Sequence, residues 1–137
     1  MTVAAAVKPV QEVTLTEMSA AFLAGIKVVA WGAAGTEADN KIAVTLQIKN
    51  AIDAPLLAVE RLRLTCSAGT MALKAAGKGT VLSGTGTDDM IIETDITTGT
   101  FDLEVTDAVG ETVTVIAGVT QGSGICDCAQ SKDLVFA

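Results

Sequence analysis

The sequence predicts an all-β protein, an antiparallel sandwich of two sheets. Apolar and polar residues alternate with a period of two along several segments, short turn-forming segments separate them, and no segment has the apolar spacing of an amphipathic helix. With 137 residues, of which 50% are hydrophobic and 18% charged, the chain is large enough to bury one core. We therefore expect a single sandwich over residues 25–137, preceded by an extended arm over residues 1–24.

The N-terminal quarter of the chain has few clear signals before its first strand. Pro9 disfavours helix within the arm, and residues 13–16 alternate as in a short strand. Residues 18–23 fit either one helical turn or extended chain. The apolar run 26–31 predicts a strand, and the glycine-containing segment 32–40 predicts the loop that follows it.

The clearest strand covers residues 41–49, where four apolar side chains alternate with small or polar ones. The side chains predicted to face the core are Ile42, Val44, Leu46 and Ile48. Residues 50–55 predict a turn, because Pro55 has no N–H to donate to a strand ladder. Residues 59–67 alternate again, and their predicted core face consists of Leu62, Leu64 and Cys66.

Shorter strands are predicted next. Residues 69–73 fit a short strand, and the segment 75–89, rich in Gly and Thr, predicts a loop with room for one edge strand. Residues 90–96 predict a strand that ends at the turn 97–99. The segment 134–136 near the C-terminus fits a last edge strand.

Two strands, 100–106 and 111–119, are predicted to pair as a hairpin across the turn 107–110. Gly110 could take a positive φ in such a turn. The side chains predicted to face the core share the period of two: Phe101, Leu103, Val105, Val113, Val115, Ala117 and Val119.

Four segments carry a resemblance to a known family. They are Ile42–Leu56, with the turn Asp-Ala-Pro-Leu, Leu62–Thr70, Ile92–Val105, and Glu111–Gly118, which reads Glu-Thr-Val-Thr-Val-Ile-Ala-Gly. Together they resemble the invasin/intimin type of bacterial immunoglobulin-like (Ig-like) domain. The first turn departs from that pattern, since Ile52 or Ala54 stands where glycine is usual, and the Cys126–Cys128 extension is foreign to it. The resemblance implies an Ig-like sandwich.

The resemblance also implies a binding or structural role. Such domains occur in bacterial surface adhesins and in virion proteins of tailed phages. Adhesins carry export signals and tandem copies, whereas this sequence shows no internal repeat and does not begin as a signal peptide does. We therefore expect a phage virion protein made in the host cytoplasm, most specifically a capsid decoration (cement) protein. A tail or fibre module and a bacterial cell-surface adhesive module are the alternatives.

The expected partner is a protein lattice, with the major capsid protein as the specific expectation and an oligomeric state in the assembly. A net charge of −7 argues against nucleic acid and acidic membranes as partners. The apolar stretch 18–34 is too short to span a bilayer and contains Lys27. Because a sandwich core does not require the N-terminal arm or the apolar stretch 18–31, we expect these segments to contact the partner, through the following large apolar side chains: Met18, Phe22, Leu23, Ile26 and Trp31.

Enzymatic chemistry is not expected. The chain has no histidine, which removes the commonest general base, the commonest zinc ligand and every Ser-His-Asp or Cys-His arrangement. We expect no catalytic residue, no cofactor and no metal centre.

The three cysteines, Cys66, Cys126 and Cys128, leave several alternatives open. They could be reduced thiols. Cys66 could form a disulfide with one of the C-terminal pair, or a disulfide could join neighbouring subunits, because the number of cysteines is odd. Soft-metal binding is a further alternative. Cys66 itself is expected to be a core residue, since it lies on the apolar face of its strand.

Overall fold

The computed structural model describes residues 27–119 and 130–137, and within these residues it contains nine β-strands. The strands are β1 (Lys27–Trp31), β2 (Lys41–Asn50), β3 (Arg61–Cys66), β4 (Thr70–Leu73), β5 (Thr80–Ser83), β6 (Asp89–Glu93), β7 (Thr100–Thr106), β8 (Thr112–Val119) and β9 (Gln130–Val135). No helix in the described part of the chain is long and apolar enough to cross a bilayer. The predicted arm, residues 1–24, lies outside the described residues.

The strands form two antiparallel sheets, which confirms the predicted β-sandwich. The first sheet has the order β1-β2-β7-β4, and the second has the order β5-β6-β3-β8-β9. In the first sheet, β1, β2, β7 and β4 occupy the positions of strands A, B, E and D of an Ig-like sandwich. In the second sheet, β3, β8 and β9 occupy the positions of strands C, F and G, and β5 and β6 are added beside β3. The chain enters β4 before it forms the β5–β6 hairpin, whereas an Ig variable domain forms its additional strands before strand D.

The core lies between the two sheets and is built by the predicted alternation. Every second residue of the long strands points inward because successive side chains of a strand face opposite sides of the sheet. Nineteen described apolar residues are buried, and the largest of those that are fully buried include Phe101, Leu46, Ile48, Leu62, Leu64, Met71 and Met90. The predicted inward faces of β2, β3 and β7 are all confirmed.

The predicted hairpin between β7 and β8 is wrong. β7 pairs with β2 and β4 in the first sheet, whereas β8 pairs with β3 and β9 in the second. Residues 107–111 therefore cross from one sheet to the other. Gly110 does not adopt a positive φ in this crossing. Alternating strands joined by a short turn have the same local pattern in a hairpin and in a crossing between sheets, and only the distant pairing partners distinguish the two.

Other predicted elements differ in extent, among them the last edge strand, predicted over residues 134–136 and observed as β9 over Gln130–Val135. The glycine-rich segment 75–89 does contain an edge strand, β5, which carries an irregularity in its pairing between Val81 and Ser83. The strand predicted over residues 90–96 runs only from Asp89 to Glu93, and residues 94–99 form the connection back to the first sheet. This connection is part of the site described next.

Candidate protein-binding end of the sandwich

Two loops cover one end of the sandwich. The loop 51–60 connects β2 to β3, and the loop 94–99 connects β6 to β7, so both cross between the sheets at this end. The register places the first residue of β1 here as well, because Lys27 pairs with Asn50 at the end of β2. The last residue of β8 also lies near it, since Val119 pairs with Leu62. We call this surface the apolar end, for the side chains it exposes.

Thr94 joins the two loops. Its hydroxyl donates to the carbonyl oxygen of Ala58 and accepts from the main-chain N–H of Glu60, both at 2.8 Å. Its own N–H donates to the carbonyl oxygen of Glu60 at 3.0 Å. With only 3% of its surface exposed, Thr94 is a buried polar residue whose hydroxyl has both a donor and an acceptor partner. The loops are therefore fixed to each other before any partner binds.

Gln47 on β2 holds the second loop against the first sheet. Its side-chain amide donates to the carbonyl oxygens of Thr98 and Ile48 at 3.0 Å each. The main chain adds bonds from Ile48 N–H to the oxygen of Gly99 and from Leu56 N–H to the oxygen of Ile48. Leu56 packs partly buried against the core. Both loops are thus anchored to β2 at the point where Ile48 is fully buried.

Side-chain oxygens shape the tips of both loops. In the first loop the amide oxygen of Asn50 accepts from the main-chain N–H groups of Ile52 and Ala54. In the second loop the carboxylate of Asp95 accepts from the main-chain N–H and the hydroxyl of Thr97, and these hydrogen bonds lower the pKa of Asp95. Such local caps fix turns whose tips point away from the sheet.

The consequence of this geometry is that four large apolar side chains project outward. They account for half of the eight large apolar residues found exposed in the described chain, and their exposed fractions are 52% for Ile52, 62% for Leu57, 46% for Val59 and 64% for Ile96. All four side chains lie in the two loops that cover this end, which makes the apolar end the candidate contact surface.

Two ion pairs lie at this end, whereas the carboxylate of Asp95 accepts hydrogen bonds from Thr97 and Thr98 without an ion pair among the described residues. Lys27 Nζ lies 2.6 Å from Glu60 Oε1, and only 15% and 12% of the two side chains are exposed. Lys49 Nζ lies 3.1 Å from Asp53 Oδ1. These two pairs balance two acids with two bases.

The structure locates only one of the five predicted partner-contact residues. Trp31 at the end of β1 is partly buried against the core, and its indole N–H donates to the carbonyl oxygen of Gln130 on β9 at 3.4 Å. The expectation that the core does not need this strand is wrong, because Val29 of β1 is a core residue with 3% of its surface exposed. The other four predicted contacts lie outside the described residues: Met18, Phe22, Leu23 and Ile26.

Cys66 is buried, as predicted, and within the described residues it forms no disulfide. Its thiol points to the carbonyl oxygen of Gly69 at 3.8 Å. Burial raises the pKa of Cys66, and the negative charge of Asp88 acts in the same direction. A thiol of this kind is a poor nucleophile. Cys126 and Cys128 lie outside the described residues, so the predicted disulfide and metal alternatives stay predictions.

A cleft of about 290 Å³ on the outer face of the first sheet is a weaker candidate site. It lies between the loop 32–35 and Lys74, with Thr45 and Asp102 on its floor. Thr45 donates to Oδ1 of Asp102 at 2.5 Å, and the main-chain N–H of Lys78 donates to Oδ2 at 2.7 Å. Both oxygens of this carboxylate are satisfied by the protein, so the apolar end is the better candidate.

No family model and no curated protein matches the chain. Among solved structures, a β-glycosidase from Bacteroides vulgatus is similar at 12% identity and a TM-score of 0.50, over 80% of this chain and 14% of the glycosidase. A β-glucuronidase from Parabacteroides merdae is similar at 13% identity and a TM-score of 0.46, over 82% of this chain and 12% of the enzyme.

A conjugate transposon protein from Bacteroides vulgatus is similar at 16% identity and a TM-score of 0.42, over 82% of this chain and 84% of that one. The likeness to the β-glycosidase shows the β-sandwich fold alone, since a fold of this kind hosts many unrelated functions. The chain spans only 12–14% of the two enzymes.

Proposed function

We propose that this chain is a structural binding protein that docks on a protein lattice through its apolar end, and more specifically a phage capsid decoration protein. The observation that carries the proposal is the exposure of Ile52, Leu57, Val59 and Ile96 on one rigid end of the sandwich. The lattice, the virion and the major capsid protein as partner come from the family resemblance of the sequence.

The charge distribution supports an orientation for the docked protein. At the apolar end Asp95 is the carboxylate without an ion pair among the described residues, whereas the opposite end carries the carboxylates of Glu37, Asp39, Asp88, Asp107 and Glu111. Burying the end with fewer unpaired charges costs less desolvation than burying a surplus of like charges. We therefore place the apolar end against the partner and the acidic end towards solvent.

The size of the apolar surface sets the strength of the contact. Complete burial of a large aliphatic side chain contributes about 1.5–3 kcal/mol, and each of these four residues has about half of its surface left to bury. Their sum, about 4 kcal/mol, is no larger than the cost of immobilising a protein, about 4–15 kcal/mol. The apolar end alone therefore binds weakly, and stable docking requires a second contact or several linked copies.

The predicted N-terminal arm is suited to supply that second contact. Residue Lys27 lies at the apolar end, so the chain that precedes it joins the fold on the same side. Three of the predicted contacts lie in this arm, namely Met18, Phe22 and Leu23, and a fourth, Ile26, directly precedes β1 in the sequence. A protein that binds the assembled lattice and not the free subunit stabilises the assembly by mass action.

The proposal is tested by cosedimentation of the full chain with shells assembled from a tailed-phage major capsid protein. We expect saturable binding, a loss of at least about tenfold in affinity for Ile96→Asp, and loss of binding on deletion of residues 1–24. The matched control is Val109→Asp, because Val109 is similarly exposed at 59% in a loop at the opposite end.

Equal binding of Ile96→Asp and Val109→Asp would remove the apolar end from the proposal. No binding to shells, together with binding of the chain to intact bacteria, would contradict the virion role and favour the adhesive module. Thermal unfolding of each variant shows whether a loss of binding reflects a loss of fold, and binding is compared below the lowest melting temperature. Val109→Asp adds a carboxylate beside Asp107 and Glu111 and should melt somewhat below the parent chain, so its retained binding is the more stringent control.

A further inference from the structure

The opposite end of the sandwich contains a buried carboxylate that the proposed function does not use. Asp107 follows β7 and begins the crossing to β8, and only 7% of its surface is exposed. Its main-chain N–H donates to the carbonyl oxygen of Asn40 at 2.9 Å. Oδ1 accepts from the main-chain N–H of Val109 at 3.1 Å. Oδ2 is buried and has no hydrogen-bond donor among the described residues.

A second carboxylate faces the first. Glu111 lies four residues further along the same crossing and can donate to the Asp107 carboxylate only when it is protonated; this hydrogen bond, desolvation and the charge of Asp107 raise the pKa of Glu111. When both carboxyl groups are ionised, neither supplies a donor to the other. No lysine or arginine of the described chain forms an ion pair with either of them; the lysine at this end, Lys41, lies 3.7 Å from Glu104. Asp88 adds further negative charge nearby, as its effect on the Cys66 thiol indicates.

A buried carboxylate oxygen without a donor is costly, and two adjacent carboxylates repel each other when both are ionised. A cation between them would remove both costs. We propose that Asp107 and Glu111 bind a hard divalent cation, of the Ca²⁺ or Mg²⁺ class, at the acidic end of the sandwich. This site does not depend on the proposed lattice binding.

The donor set selects the class of cation. Both side chains offer only oxygen, which hard cations prefer, and the nearby Cys66 keeps its proton because its pKa is raised. No group of three His, Cys, Asp or Glu side chains that could hold a metal occurs within residues 27–119 and 130–137. Two carboxylates must therefore share the ion with water or main-chain oxygens, which is common for Mg²⁺ and tolerated by Ca²⁺. The expected dissociation constant is in the weak range, about 10⁻⁴–10⁻³ M.

The test measures binding of CaCl₂ and MgCl₂, each alone, to the full chain by isothermal titration calorimetry and thermal unfolding at pH 7.5 after removal of metal with a chelator. At a tenfold excess over the dissociation constant we expect the melting temperature to rise by about 4 °C. Glu111→Gln and Asp107→Asn should each abolish the rise.

Asp107→Asn has a second expected readout, which keeps the test informative. Its amide can donate to the Glu111 carboxylate, so without metal this variant should melt at or above the temperature of the parent chain. The control is Asp53→Asn, which removes the same charge at the other end from a residue with a φ of 65° that asparagine also adopts. It should keep the full response to cation.

Absence of any calorimetric signal up to 10 mM of either salt would overturn the proposal, as would an equal response in Asp107→Asn. A melting temperature that changes with pH but not with either cation would show that the two carboxyl groups share only a proton, and would overturn it too.

Discussion

Replacing Gly99 by alanine should destabilise the sandwich much more than replacing Gly86 or Gly118. Comparing the three positions separates two contributions to the loss of stability. One is the cost of a left-handed backbone at alanine, and the other is the cost of a clash between the added Cβ and a neighbouring atom. Gly118 has no positive φ, and a Cβ there would meet nothing within 4 Å. Gly86 has a φ of +78° and equally open space, whereas Gly99 combines a φ of +67° with a Cβ position that would overlap the carbonyl oxygen of Leu56.

The magnitudes follow from these differences. Gly118→Ala should stabilise by about 0.5 kcal/mol, because alanine lowers the entropy of the unfolded chain. Gly86→Ala should cost about 1 kcal/mol, the left-handed penalty of about 1–2 kcal/mol less that gain. Gly99→Ala adds the displacement of Leu56, about 1–3 kcal/mol, and weakens the hydrogen bonds of Ile48 to Gly99 and of Leu56 to Ile48, about 1 kcal/mol each. Together with the cost of about 1 kcal/mol for the left-handed backbone, its total is about 4–6 kcal/mol.

The assay is urea unfolding followed by fluorescence, since the chain has a single tryptophan and Trp31 is partly buried against the core. The midpoint should decrease in the order Gly118→Ala, parent, Gly86→Ala, Gly99→Ala. If Gly99→Ala were as stable as Gly86→Ala, the loop 94–99 would not be pressed against Leu56, and the described geometry of the apolar end would be wrong.

Three further predictions concern the core, the outer face and the thiol. Leu62→Ala should cost about 2–5 kcal/mol in urea unfolding because Leu62 is fully buried, whereas Leu57→Ala, at a position that is 62% exposed, should cost less than about 1 kcal/mol; similar costs would refute the assigned burial. Hydrogen bonds from Arg63, at 2.7 and 2.9 Å, lower the pKa of Asp89. The stability that this pair contributes is fully present above the pKa of the unfolded chain and is lost as the pH falls through the lowered pKa of the folded chain. Arg63→Gln should therefore lose less stability than the parent chain between about pH 5 and pH 2, and identical unfolding profiles of the two chains in acid would contradict this. In a Cys126→Ser, Cys128→Ser chain, Cys66 should react with a thiol reagent only at the rate at which the fold opens, because burial raises its pKa; immediate reaction in the absence of denaturant would contradict it.

The inward faces were predictable from the sequence because alternation is local. Ile42 to Ile48 and Phe101 to Val105 alternate without a break, and burial on one side of a sheet requires no more information than that. The strands that β7 and β8 pair with were not predictable in the same way. Residues 107–110 look like a hairpin turn, yet the chain crosses between sheets there. The Ig-like resemblance contained the missing signal, since strands E and F of that fold belong to different sheets.

The exposed residues of the candidate site were harder to predict. Leu56 and Leu57 are neighbours of the same type in one loop, but Leu56 packs on the core and Leu57 is exposed. The difference comes from Leu56 donating its N–H to Ile48 and from the approach of Gly99, both of which are contacts between distant parts of the chain. The signal in the sequence was weak, namely isoleucine, leucine and valine in segments otherwise typical of turns. Asp107 is a similar case, because its main-chain N–H donates to the carbonyl oxygen of the distant Asn40.

Hydrogen–deuterium exchange on the shell-bound chain measures the proposed contact surface most directly. Docking through the apolar end predicts slower exchange on binding in residues 51–60 and 94–99, with no change in residues 84–88 and 107–111. Protection confined to the acidic end, or spread over the outer face of either sheet, would contradict the assignment of the apolar end as the binding surface.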